Sequence, residues 1–349
     1  MGPGENRSER LLVLKMKIPL VCIAGALLMF ADSVFAIEKR AVIIDADPGQ
    51  DDAIALLFAL GSNQLDILGI TTVAGNVPLD LTSKNARIIL DWSNRKGIPV
   101  YAGAQKPLVR DLVTAEDVHG KTGLDGVTLH EPPGKLAPGH AVDFIIRTLR
   151  QNPPGTITIG LLGPATNLAL AMTKAPDIKS RIKEIVMMGG GRFYPGNITP
   201  VAEFNVYVDP DAANIVFQSG VPIVVLPLDV THTALTTPDR VQKLRDIGNL
   251  NGDRIADILT SYSRHDMEKF GLEGGPLHDP CVIGYLLNPS LFDGKQVNVM
   301  VETKSDLTLG QTVVDWNAVT DRKPNALWIT KVKADEFYAL LTDTLSQLP

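Results

Sequence analysis

Apolar residues follow two rhythms along the chain. Short runs rich in Val, Ile and Leu occupy 41–45, 67–73, 99–102, 156–162, 184–188 and 222–226. Stretches of helical period lie between them, near 51–60, 80–95, 139–150, 166–173 and 209–219. Runs that stay apolar rather than alternating mark strands buried on both faces, so the alternation predicts an α/β fold with a mostly parallel central sheet flanked by helices. In such sheets a ligand sits beyond the carboxyl ends of the strands, which makes the residues just after each strand the place to look for chemistry. From 237 to 288 the pattern turns mainly helical, with 271–276 as a loop between two helices. A strand pair at 297–301 and 326–330 and a helix from Ala334 close the chain. With no internal repeat or low-complexity linker, residues 37–349 are expected to form one domain with helical additions toward the C-terminal half.

The first 36 residues follow another pattern. Lys15 and Lys17 precede the apolar run 18–30, and Val34 and Ala36 stand at the two positions a signal peptidase reads. Residues 1–36 therefore read as a secretory signal peptide, with Met16 as an alternative start that would leave 1–15 untranslated. The run is too short for the ~20 apolar residues that span a bilayer, so the expectation is an exported, periplasmic or secreted protein with no stable membrane anchor. Beyond the leader only Cys281 remains, which excludes an internal disulfide. The formal charge is -6 and Lys and Arg form no extended run, so there is no footprint for nucleic acid. A small-molecule substrate fits this chain better.

The densest chemistry follows the first strand. Ala41-Val-Ile-Ile44 runs into Asp45-Ala-Asp-Pro-Gly-Gln-Asp-Asp52 and then into the apolar stretch 53–60. Capping by the helix dipole accounts for Asp51 and can extend to Asp52, at about 0.3–1 kcal/mol each. It does not account for Asp45 and Asp47 at a buried strand end, where crowded like charges need a cation. The motif holds no arginine, so a hard divalent ion with oxygen ligands is the better answer. Pro48 and Gly49 turn the chain so that Asp47 and Asp52 can face one point.

This segment resembles the signature Asp-x-Asp-Pro-Gly-x-Asp-Asp of the calcium-dependent nucleoside hydrolases of the inosine-uridine type. Val73-Ala-Gly-Asn76, Val118-His119-Gly120, Met188-Gly-Gly-Gly191, Gly196-Asn197, Val201-Ala-Glu-Phe-Asn205 and Leu277-His-Asp-Pro280 resemble further family segments, in family order, over residues 42 to 314. The resemblance implies a Rossmann-like nucleoside hydrolase fold and Ca²⁺ as cofactor, held by Asp47, Asp52, Asp279 and the backbone carbonyl of Leu162. It implies hydrolysis of the N-glycosidic bond of ribonucleosides to ribose and free base, by a Ca²⁺-bound water with Asp47 as general base. Asp51 and Asn76 match residues that hold the ribose hydroxyls, while Asn197, Glu203 and Asn205 match those on the remaining sugar oxygens. His278 matches a histidine near the leaving base, and His119 lines the same end. A homo-oligomer, dimer or tetramer, is implied as well.

Blander readings stand beside these. Asp279-Pro280 has the form of a helix N-cap with proline at the first helical position, repeated at Asp209-Pro210 and Thr237-Pro238. Asn76 and Asn197 adjoin glycines, where a turn is the default. His130, His140, His232 and His265 read as surface or packing residues, and 189–191 as a tight loop without the Lys-Ser/Thr pair of a phosphate cradle. A non-catalytic periplasmic ribose- or nucleoside-binding protein would share the export signal and architecture, and a haloacid-dehalogenase-like phosphatase would share the opening Asp-x-Asp. Trp92, Trp316 and Trp328 lie outside the matched segments, so both inosine and uridine are expected as substrates, with the preferred base left open.

Overall fold

In the computed structural model, residues 39–349 are described, apart from the side chains of residues 265, 266, 269 and 270. The leader reading, with its consequences for export, lies outside the described residues. The strands are β1 (Arg40–Ala46), β2 (Leu65–Thr72), β3 (Val100–Ala102), β4 (Ile157–Leu161), β5 (Ile182–Met188), β6 (Ile223–Leu226), β7 (Leu235–Thr236), β8 (Gly275–Pro276), β9 (Phe292–Val301), β10 (Thr312–Asp315) and β11 (Ala326–Val332). The helices are α1 (Gln50–Gly61), α2 (Leu79–Trp92), α3 (Glu116–His119), α4 (Ala141–Gln151), α5 (Thr166–Lys174), α6 (Phe204–Val208), α7 (Pro210–Phe217), α8 (Leu228–Thr231), α9 (Pro238–Arg245), α10 (Leu250–Phe270), α11 (Pro280–Leu287) and α12 (Ala334–Leu345).

Nine strands form one sheet in the order β10-β9-β11-β6-β5-β4-β1-β2-β3. Neighbours from β3 to β11 pair in parallel, whereas β9 runs antiparallel to both β11 and β10. The pleat sorts β1 between the two faces: Val42 and Ile44 join the cluster of α1 and α11, and Ile43 joins that of α4, α5 and α7. Helix α1 is buried on every side, which explains why residues 53–60 are apolar all round rather than amphipathic. Each fully buried Ile, Leu or Phe of these clusters contributes ~1.5–3 kcal/mol against exposure.

The structure extends two sequence expectations. The closing strand pair is longer and joins the main sheet, with the further strand β10 beyond it. The segment expected as a loop at 271–276 ends in β8, whose two residues pair with β7. Among the described residues no helix is long and apolar enough to cross a membrane, and Cys281 is a buried free thiol.

Strand order fixes the site. From β1 the chain proceeds outward through β2 and β3 on one side, whereas β4, β5 and β6 lie on the other. The carboxyl ends of β1 and β4 therefore flank the crevice where the order reverses, the place a ligand occupies in an open parallel sheet. Asp47 follows β1 there and Leu162 follows β4, tied across by the Leu162 N–H donating to the Asp45 carbonyl at 2.8 Å.

Candidate active site

The acidic loop folds upon itself. Asp52 Oδ2 accepts from the Gly49 N–H at 3.0 Å and its Oδ1 from the Asp47 N–H at 3.2 Å, so Asp52 closes the turn that Pro48 and Gly49 begin. Asn76, just beyond β2, donates its backbone N–H to Asp47 Oδ2 at 2.8 Å and its side-chain amide to the Asp47 carbonyl and to Asp52 Oδ2. Two glycines make room for Asp47: a Cβ on Gly75 would stand 2.0 Å from Oδ2, and one on Gly163 would stand 2.2 Å from Oδ1. Asp47 Oδ1 is buried with no hydrogen-bond partner.

Oxygens of Asp51, Asp52 and Asp279 come within 4.8 Å of one another, a grouping able to hold a metal ion. All three are buried. Burial, then the charge of Asp52, pushes Asp51 up to about 8; burial pushes Asp52 up to about 6 against the backbone N–H groups of Gly49 and Asp47. Asp47 and Asp279 are held well above the usual carboxylate range by burial first and by their acidic neighbours second. Asp45 does not belong to this crowd, contrary to the sequence expectation. Its rise to about 7 comes from burial alone, offset by hydrogen bonds from Thr71 and Asn167.

The Asp-Pro pattern resolves differently at its three occurrences. Asp209 caps α7 by accepting from the Ala212 N–H at 3.0 Å. Thr237 makes no side-chain cap bond to α9. Asp279 has helical backbone angles, makes no cap bond to α11 and turns its carboxylate to the acidic group. The capping reading of Asp279 is thus replaced by a role in that cluster.

A cavity of about 260 Å³ opens above the carboxylates. Asp51, Asn76, His119, Leu162, Asn197, Glu203, Asn205, His278 and Asp279 line it; Asp47 and Asp52 lie behind this lining. Glu203 caps α6, its oxygens accepting from the backbone N–H groups of Gly190, Asn205 and Val206, and burial raises it to about 7. Asn205 donates to the Leu162 carbonyl at 2.7 Å, and Asn197 accepts from the Phe204 N–H. His119 accepts at Nδ1 from the Gln50 N–H and stacks on Tyr262. His278 pairs through Nδ1 with the Thr231 hydroxyl at 2.8 Å, and burial, with His232 and His119 nearby, holds it well below the usual imidazole range. Among the described residues no Lys or Arg lines the cavity.

Sequence reasoning missed Thr231, at the end of the short helix α8 that follows β6. His130 and His140 are surface residues and His232 a packing residue, as expected; the His232 ring stacks on Tyr194 and lies 5.4 Å from the His278 ring. The strand-end rule that singled out Asp47 points equally to 227–232. Phe204 and Ile198 also line the cavity without having been foreseen. The surface or packing role expected of His265 lies outside the described side chains.

The model of the inosine-uridine preferring nucleoside hydrolases matches residues 42–339. The chain belongs to this family. It is 50% identical over 308 residues to an uncharacterized protein of Schizosaccharomyces pombe, covering 88% of this chain and 99% of that one. It is 45% identical over 307 residues to the pyrimidine-specific ribonucleoside hydrolase RihA of Enterobacter sp., covering 88% and 97%. Among solved structures it resembles the purine-preferring ribonucleoside hydrolase from Gardnerella vaginalis, with a TM-score of 0.82, 32% identity, and coverage of 88% and 98%. The protein is therefore a ribonucleoside hydrolase with the family's α/β fold, and the binding-protein and phosphatase readings fall away.

Proposed function

We propose that the protein hydrolyses the N-glycosidic bond of ribonucleosides with a water activated beside Ca²⁺, and that uridine is a better substrate than inosine. One observation carries the cation: the buried carboxylates of Asp51, Asp52 and Asp279 gather beside that of Asp47, at a cavity with no Lys or Arg among its described lining residues. Hard oxygen donors of this kind suit Ca²⁺. Asp47, Asp52, Asp279 and the Leu162 carbonyl would hold it, and the unpartnered Asp47 Oδ1 fits such a role. When bound there, the ion would supply a Lewis acid that lowers the pKa of water and gathers the 2'- and 3'-hydroxyls.

The chain's own residues do the rest. Asp47 takes the proton of the attacking water, held in place by Asn76 and by the close approach of Gly75 and Gly163. Asp51 and Asn76 orient the ribose diol, and Glu203, Asn197 and Asn205 hold the far end of the sugar. The bond breaks through an oxocarbenium-like sugar, so the departing base needs a donor. His278 supplies it, with His119 at the same end of the cavity. The preference for uridine is supported by the similarity to a pyrimidine-specific enzyme and by the absence of tryptophan from the cavity lining.

Export by the leader 1–36 and assembly as a dimer or tetramer belong to this proposal, the first resting on the leader pattern and the second on the family resemblance. The test is to incubate the protein with uridine or inosine, in Ca²⁺ or in chelator, and measure released ribose. Ribose released from uridine faster than from inosine, and only with Ca²⁺, is expected; equal release in chelator would overturn the metal reading.

A further inference from the structure

Thr231 ends the short helix α8 and is fully buried, 47 residues from His278 in sequence. Its Oγ1 lies 2.8 Å from His278 Nδ1. Among the described residues the Thr231 hydroxyl makes no other hydrogen bond, so Nδ1 is the sole acceptor for its proton. Were Nδ1 to carry the hydrogen, the hydroxyl would accept it and its own proton would be left buried and unpaired, which disfavours that arrangement. The opposite polarity satisfies both groups: the hydroxyl donates, Nδ1 accepts, and the hydrogen of the neutral ring resides on Nε2, the nitrogen left for the cavity that His278 lines. A ring in the other tautomer would present a lone pair to the leaving base and could not donate to it.

We infer that Thr231 is a positioning residue that fixes His278 as an Nε2–H donor toward the departing base. The inference rests on the leaving-group role proposed above for His278. Thr231 acts only through the imidazole. The β-branched side chain on a helical turn has restricted χ1, so the hydroxyl is presented in one direction.

The test compares uridine, whose base needs a donor, with 4-nitrophenyl riboside, whose phenolate leaves without one, using the intact Ca²⁺-loaded enzyme. Thr231→Val keeps the shape and removes the hydroxyl. It should lower kcat on uridine by about tenfold or more, the factor one hydrogen bond of about 1.4 kcal/mol supplies, and leave kcat on the nitrophenyl riboside within about twofold. Thr231→Ser should restore the uridine rate. His278→Ala, run alongside, should show the same substrate selectivity. Equal losses on both substrates for His278→Ala would overturn the leaving-group role and the inference with it. Selectivity in His278→Ala with none in Thr231→Val would overturn Thr231 alone. Nitrogen-15 spectra of histidine-labelled wild-type enzyme provide a readout free of substitution: a protonated Nε2 on His278 is expected, and a protonated Nδ1 with bare Nε2 would refute the assignment.

Discussion

A single methyl group at Gly163 should disable catalysis without unfolding the protein. An alanine Cβ there would stand 2.2 Å from Asp47 Oδ1, 2.7 Å from its Cγ and 3.1 Å from its backbone nitrogen. Ordinary contact begins near 3.4 Å, so the carboxylate must withdraw by about 1.2 Å, the difference between the two distances. On the other flank the space is held open by Gly75, but the withdrawal breaks the 2.8 Å bond from the Asn76 N–H. A shift of about 1 Å in a reacting group costs on the order of 10² in rate, and the overpacking adds ~1–3 kcal/mol of destabilisation. Gly163→Ala should therefore lose about 10²-fold in kcat/KM for uridine and bind Ca²⁺ more weakly while still melting cooperatively. Gly160→Ala, three residues earlier on β4, is the control, because its Cβ would meet nothing nearer than Leu286 Cδ1 at 3.7 Å. Steady-state kinetics, calcium titration and thermal melts of both variants decide the matter. Wild-type kcat/KM in Gly163→Ala would show that Asp47 does not depend on this position, and the base assigned to it would have to be reconsidered.

Asp47→Asn keeps an oxygen but not a base, so kcat for uridine should fall by ~10² or more with little change in KM; an unaffected kcat would remove Asp47 from proton transfer. In chelator, Asp51 and Asp52, raised to about 8 and about 6, bind more protons folded than unfolded, so stability should decline as pH rises from about 4 through those values. Ca²⁺ should flatten that slope, and melting temperatures at pH 5 and pH 8 that rise in chelator would contradict the buried-carboxylate account. Uridine 5'-monophosphate should be refused, because a phosphate of about -1.5 to -2 charge would meet Glu203 with no Lys or Arg among the described residues that line the cavity. Loss of the 2'-hydroxyl should also be harmful, so comparable kcat/KM for uridine, 2'-deoxyuridine and the monophosphate would sink the sugar assignments.

The strands of the parallel sheet were legible because a strand buried on both faces leaves a continuous apolar run, as 157–161 does. The outer strands were not. In β9, Asp293 to Gln296 are exposed, so its first half carries polar residues that read as loop. The acidic loop was legible because its carboxylates are local in sequence and too many for a cap. Asp279 was ambiguous for the converse reason: its neighbourhood is the same as that of the true cap Asp209, and only burial against Asp51 and Asp52 distinguishes the two. Thr231 could not be paired with His278 from sequence, since nothing local to either names the other.

The same four-residue helix ties the two ends of the cavity together. From α8, Asp229 accepts the backbone N–H groups of Arg192, Phe193 and Tyr194, together with the Trp328 indole N–H at 2.7 Å. Those three amides open the loop that leads to Asn197 at the proposed sugar end, while Thr231, two residues on from Asp229, holds His278 at the proposed base end. With these N–H donors gathered on one carboxylate, Asp229 fixes the backbone rather than contacting the cavity. Because α8 follows directly from the buried strand β6, neither contact can shift without disturbing the sheet. Its placement keeps Asn197 and His278, the groups proposed to meet the sugar and the base, at a constant separation.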